Sequence, residues 1–138
     1  MDPERLASIP LFRELTLAQR ERIAGVCEEI DVAAGDVVLR EGDFGYSMFA
    51  ITLGTAEVLQ DGDVLATLGP GDVFGEIAVL SSGRRVASVV ATSPMELVTI
   101  LNRELWRLER DVPEVATALR EKVGQRVAEL DRARPPRV

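Results

Sequence analysis

Met48-Phe-Ala-Ile-Thr-Leu-Gly-Thr-Ala-Glu-Val-Leu-Gln-Asp-Gly-Asp-Val-Leu-Ala-Thr-Leu68 packs three strand-like runs into one short stretch. They are Met48 to Leu53, Ala56 to Leu59 and Val64 to Leu68, rich in branched and apolar side chains. Asp61-Gly62 stands between the last two. A two-residue hairpin loop of type I′ matches the strand twist with positive φ at both central residues, which Asp and Gly tolerate. An antiparallel hairpin follows, and it sets the character of the chain around it.

On either side the same grammar continues. Val37 to Arg40 precedes the stretch, and Val86 to Ala91 and Met95 to Leu101 follow it. Nine of the eleven glycines fall between Gly35 and Gly83. Gly69-Pro-Gly71-Asp72 is another turn, because Pro70 cannot donate to a central ladder. Short strands broken by turns at regular pitch predict an all-β barrel or sandwich over residues 28–101. The flanks are helical. Leu6, Ile9, Leu11, Phe12 and Leu15 suit short helical turns interrupted by Pro10. Thr16 with Gln19 three residues later forms a capping box, and Leu17, Arg20, Ile23, Ala24 and Cys27 share a helix face. The spacing predicts a helix from Leu17 to about Cys27, with Gly25 costing ~1 kcal/mol against Ala.

After the strands, Asn102 is placed to cap a short helix holding Leu105, Trp106 and Leu108. Pro113 suits the first turn of a longer one. Val115, Leu119, Val123, Val127 and Leu130 make an apolar stripe along it. That stripe predicts packing on the chain's own body ahead of a dimer seam. The division expected is a helical lead-in over 3–27, strands over 28–101, closing helices over 102–130 and a basic, Pro-rich tail over 131–138.

Composition narrows the chemistry. The 138 residues are 46% hydrophobic and 28% charged, with net charge −7. An acidic surface argues against nucleic acid as a partner, since phosphate contacts need clustered Lys and Arg. No histidine is present. Ser-His-Asp and Cys-His catalysis are therefore excluded, and with a single cysteine so is a thiolate–imidazole zinc site. Cys27 has no partner for an internal disulfide and reads as a small buried hydrophobe on the helix. No apolar run reaches the ~18 residues that span a bilayer. Met-Asp-Pro-Glu-Arg lacks the layout of a signal peptide, so a cytoplasmic location is the expectation.

One stretch carries chemistry. Phe74-Gly-Glu-Ile-Ala-Val-Leu-Ser-Ser-Gly-Arg-Arg-Val-Ala-Ser88 sets a glycine and a carboxylate after a strand, and an arginine pair nine residues later. Gly75 allows a tight turn or close approach to a ligand. Ile77 to Leu80 suits one helical turn whose first amides and dipole attract anions. Arg84 and Arg85 offer planar forks matching phosphate oxygens. Glu76 would repel a phosphate, but it accepts from sugar hydroxyls. Phosphate and ribose on one loop describe a nucleotide.

The pattern Phe74-Gly-Glu-Ile-Ala-Val-Leu-x-x-Gly-x-Arg85-x-Ala87-Ser88 closely resembles the phosphate-binding cassette of cyclic nucleotide-binding domains. Such domains occur in regulatory subunits of cAMP-dependent kinase, catabolite activator proteins and cyclic nucleotide-gated channels. The resemblance implies a jelly-roll-like antiparallel β-roll, mainly β with flanking helices. It implies a cytoplasmic, non-enzymatic sensor or regulatory domain in signal transduction, with cAMP or cGMP as ligand and no cofactor or metal. The ligand-binding residues it implies are Phe74, Gly75, Glu76, Ile77, Ala78, Arg84, Arg85, Val86, Ala87 and Ser88. Among them Glu76 takes the ribose 2′-hydroxyl and Arg85 the exocyclic phosphate oxygens. Arg84 is a surface charge of modest effect, and Ser88 a small residue facing the phosphate. Val86 carries no hydroxyl where a Thr or Ser often contacts syn guanine, which favours cAMP. Val73, Val86 and residues 117–122 are candidates to cover the base.

The family also implies a closure, in which the final helix is mobile and swings over the ligand. Its output would be an effector protein, or the parent channel or enzyme of an excised domain; a homodimer through the C-terminal helix is a further option. Two other readings stand beside this one. A roll that has lost ligand would dock a protein partner, and a cupin-type enzyme would share the jelly roll but needs the histidines this chain lacks.

Overall fold

The structure, a computed structural model, describes residues 1–75 and 84–133. Among the described residues eight strands form two antiparallel sheets of four. The first sheet contains β1 (Cys27–Val32), β3 (Ser47–Leu53), β6 (Val73–Phe74) and β8 (Met95–Leu101), in the order β1-β8-β3-β6. The second contains β2 (Val37–Leu39), β4 (Ala56–Gln60), β5 (Asp63–Leu68) and β7 (Ser88–Ala91), in the order β2-β7-β4-β5. The strand runs predict an all-β barrel or sandwich, and the β-roll with flanking helices that the resemblance implies is the fold observed. Asp61 at φ 51° and Gly62 at φ 85° join β4 to β5, with Gln60 opposite Asp63, as a two-residue turn of this kind requires.

Helices flank the roll. Before it come α1 (Pro3–Ala7), a 3-10 turn (Pro10–Phe12) and α2 (Leu17–Ala24). After it come α3 (Asn102–Asp111) and α4 (Pro113–Ala133). The Thr16–Gln19 capping box closes reciprocally, at 3.1 Å and 2.9 Å.

β3 and β8 read as continuous apolar runs because both of their faces are covered. Met48, Ala50, Val73, Val98 and Ile100 face the helices, in one core with Leu6, Phe12, Ile23, Leu105 and Leu119. Phe49, Ile51, Phe74, Met95 and Leu97 alternate with them and face the second sheet, in a core with Val58, Ala87 and Val89. Successive strand side chains point to opposite faces, so a single strand pair serves two cores.

Three sequence expectations are corrected. α2 stops at Ala24, with Gly25 at its C-cap, and Cys27 opens β1 opposite Ile100. The cysteine is buried as expected, but in a strand. Glu28, Glu29 and Asp31 are all exposed, and the adjacent Glu28-Glu29 pair, one on each face, interrupts the apolar alternation of this edge strand. Asn102 is not a side-chain cap: Leu101 holds that position, and Asn102 lies buried in the first turn with its N–H donated to the Tyr46 carbonyl at 2.8 Å. The strand expected from Val86 begins at Ser88, because residues 84–86 are held by the segment before β3 and by Gln60.

α4 packs on the protein's own body. Val115, Ala116 and Leu119 are buried beside the 3-10 turn and α2. Lys122 pairs with Glu14 at 2.5 Å and Arg120 with Glu109 at 2.6 Å. The side chains of Val123, Val127 and Leu130, the rest of the stripe, lie outside the described residues.

Candidate functional site

The site gathers where β6 ends, β3 begins and the chain enters β7. Gly75 follows β6 with φ +74°. A Cβ there would stand 2.9 Å from Arg85 Nη1 and 3.0 Å from the Ser47 carbonyl oxygen. Glycine is thus required twice, by backbone conformation and by the approach of an arginine.

Arg85 is the organising side chain, only 9% exposed. Its Nη1 donates to the Gly75 carbonyl at 2.9 Å and its Nη2 to the Ser47 carbonyl at 2.6 Å. Its main chain is fixed as well: its N–H reaches the Asp43 carbonyl at 2.7 Å, and its carbonyl accepts from Gly42 at 2.9 Å. Carbonyl oxygens carry only partial negative charge, so what these two supply to the guanidinium is chiefly orientation. The guanidinium is thus a buried cation held in a defined plane.

The neighbouring residues separate by role. Arg84 is exposed, donates to the Gly42 carbonyl at 2.8 Å and places its guanidinium carbon 4.3 Å from the centre of the Phe44 ring. That agrees with a surface charge distinct from Arg85. Val86 is 44% exposed, and its carbonyl accepts from Gln60 Nε2 at 3.0 Å. Ala87 lies in the core between the sheets. Ser88 Oγ accepts from the Glu41 N–H at 2.9 Å, tying β7 to the end of the β2 segment. Phe74 is fully buried and stacks on Phe49, with centroids 5.1 Å apart and planes at 14°. It anchors the strand from which Gly75 departs. Glu76, Ile77 and Ala78 lie outside the described residues. Of the residues considered for covering a base, Val73 is buried in the helix-side core, whereas Val86 is accessible.

Sequence reasoning missed the Gly75 and Ser47 carbonyls, which orient Arg85. Every residue has a carbonyl, so no sequence signal points to these two. It also missed Phe44 beneath Arg84. Among the described residues no group of His, Cys, Asp and Glu side chains is arranged to hold a metal ion, and no helix is long and apolar enough to cross a membrane.

The geometry is a two-sheet roll with helices on one face and a buried arginine fixed beside the end of β6. The family is specified by similarity. The model of the cyclic nucleotide-binding domain matches residues 29–111, and the chain belongs to that family. The cAMP-dependent protein kinase regulatory subunit of Hypocrea atroviridis is 34% identical over 103 residues, 75% of this chain and 22% of that one. One of the cyclic nucleotide-gated cation channel subunits of Drosophila melanogaster is 36% identical over 96 residues, 64% of this chain and 14% of that one. The chain therefore spans less than a quarter of either relative. The solved N-terminal domain of a transcriptional regulator from Streptomyces coelicolor superposes with TM-score 0.76 at 30% identity, over 96% of this chain and 94% of that one.

Proposed function

We propose that this chain is a cAMP sensor, a binding and regulatory domain without catalysis. Arg85 receives the exocyclic phosphate oxygens, Glu76 the ribose hydroxyl, and the backbone of 75–78 the cyclic phosphate. The observation that carries this reading is the buried Arg85 guanidinium, oriented by the Gly75 and Ser47 carbonyls within the stretch the family model covers. Preference for cAMP over cGMP rests on Val86, accessible beside Arg85 and without a hydroxyl for guanine.

The layout of the last two helices supports a closure. Val112, with φ −142° and ψ 71°, breaks α3 from α4 and is the natural hinge. The swing begins from a packed state, since Leu119 is fully buried against the N-terminal helices. Ligand binding must offset that burial, and it shifts the equilibrium only by its difference in affinity for the two states. The Lys122–Glu14 pair adds little resistance, because solvent around the exposed Glu14 screens the attraction. The output is an effector protein or the remainder of a longer chain.

Calorimetry with cAMP and cGMP side by side tests the ligand, with tighter cAMP binding expected; absence of binding by either removes the reading. Hydrogen exchange tests the closure. Added protection is expected at residues 75–88 and again at 114–128, with little change at 47–59. Protection confined to the first segment means a binding module without a moving lid.

A further inference from the structure

A cavity of about 470 Å³ opens between the loop that precedes β3 and the start of α3. Among the described residues Phe44, Tyr46, Leu101, Asn102, Arg103 and Trp106 line it. Its volume falls within the ~300–1,000 Å³ of small-molecule sites. The chain's only Trp and only Tyr are both here, with one of its four Phe. Phe44, Tyr46 and Trp106 are 56%, 63% and 56% exposed, whereas Phe12, Phe49 and Phe74 are buried in the cores. A gathering of wet aromatic faces in one concavity marks a binding site.

The rim is cationic in a chain of net charge −7. Arg103 lines the cavity, meets Glu104 only at 3.9 Å and keeps 72% of its side chain exposed. Arg84 stands over Phe44 on the same wall. Flat apolar walls with a positive rim complement a planar aromatic body bearing one negative charge.

The cavity also adjoins the anion site through the backbone. The Tyr46 carbonyl accepts from Asn102 N–H at 2.8 Å, and the next carbonyl, Ser47, accepts from Arg85 Nη2 at 2.6 Å. One dipeptide thus holds both the first residue of α3 and the guanidinium. An occupant wedged against Tyr46 and Trp106 fixes the spacing of the loop and α3, and with it the plane of the Ser47 carbonyl.

We propose that this cavity is a second ligand site, taking a planar aromatic anion, and that its occupancy is linked to the anion site at Arg85 through Tyr46 and Ser47. The linkage rests on the nucleotide-binding reading of Arg85; the cavity site does not. Linkage of this kind is reciprocal.

Trp106, the only tryptophan, is the reporter. Anilinonaphthalene sulfonate, a planar aromatic anion, is titrated into the intact protein while Trp106 emission is followed. Saturable single-site quenching is expected. Arg103→Gln should weaken it roughly tenfold, the worth of one hydrogen bond to a charged group. Phe44→Ala should weaken it too. Non-saturable quenching, or affinity unchanged from the parent in both variants, would overturn the site. The titration is then repeated at rising cAMP. Two linked sites shift the probe's affinity to a plateau, by roughly 5- to 150-fold. Displacement that grows in proportion to cAMP means a single shared site and overturns the proposal. No shift, when calorimetry shows cAMP bound, removes the linkage. Should cAMP fail to bind at all, the nucleotide reading and the linkage fall together, while quenching and its loss in Arg103→Gln still decide the cavity.

Discussion

Replacing Gly75 by alanine tests whether the arginine's seat is what this glycine preserves. The added Cβ falls 2.9 Å from Arg85 Nη1 and 3.0 Å from the Ser47 oxygen, at φ +74°. The Ser47 carbonyl is fixed at the start of β3, so the guanidinium is the group that yields. A left-handed conformation costs an L-residue ~1–2 kcal/mol. Displacing Arg85 disturbs its bonds to the Gly75 and Ser47 carbonyls, and hydrogen bonds to a charged group contribute ~1.5–3 kcal/mol. The two bonds hold one group and do not add fully, so a total loss of ~3–5 kcal/mol is expected. Gly62 supplies the control: its φ is +85°, yet nothing lies within 4 Å of its would-be Cβ. Gly62→Ala should therefore show strain alone, ~1–2 kcal/mol. Urea denaturation of the ligand-free proteins measures both, and cAMP calorimetry on the same samples should show weakened binding only for Gly75→Ala. Equal destabilisation by the two changes, with cAMP affinity preserved, would refute the idea that Gly75 makes room for Arg85.

Other outcomes follow from the same geometry. Arg85→Ala should weaken cAMP binding by ~2–5 kcal/mol, the cost of removing one partner from a buried charge pair, whereas Arg84→Ala should cost far less; equal losses by calorimetry would reassign the phosphate arginine. Val86→Thr should shift preference towards cGMP by ~0.5–1.5 kcal/mol, one net hydrogen bond, and an unchanged ratio of affinities would remove the basis for preferring cAMP. Burial pushes the Cys27 thiol from its ordinary value of 9.0 up to about 12, so the folded protein should resist iodoacetamide and react only on unfolding. Across that window the unfolded chain releases a proton that the folded chain retains, so stability should fall as pH rises above 9.0. Cys27→Ala should flatten that part of the profile; an identical slope would place the titration elsewhere.

The sequence by itself determined an all-β body between helical flanks, the hairpin at Asp61-Gly62, the capping box at Thr16 and the candidacy of Arg85. These are local statements, carried by periodicity, turn chemistry and residue types at fixed spacing. It misread β1, because consecutive exposed glutamates at 28 and 29 interrupt the apolar alternation that would reveal this edge strand. It also misplaced the role of Asn102, whose residue type suits a cap while its backbone is claimed by Tyr46, far away in the chain. Tertiary structure alone decided that Arg85 is seated on the Gly75 and Ser47 carbonyls, that the Ser88 hydroxyl serves Glu41, and that Leu119 is buried on the N-terminal helices. Each of these depends on main-chain atoms or on pairings between distant segments. Every residue supplies the same N–H and C=O, so only the folded arrangement selects which of them a side chain meets.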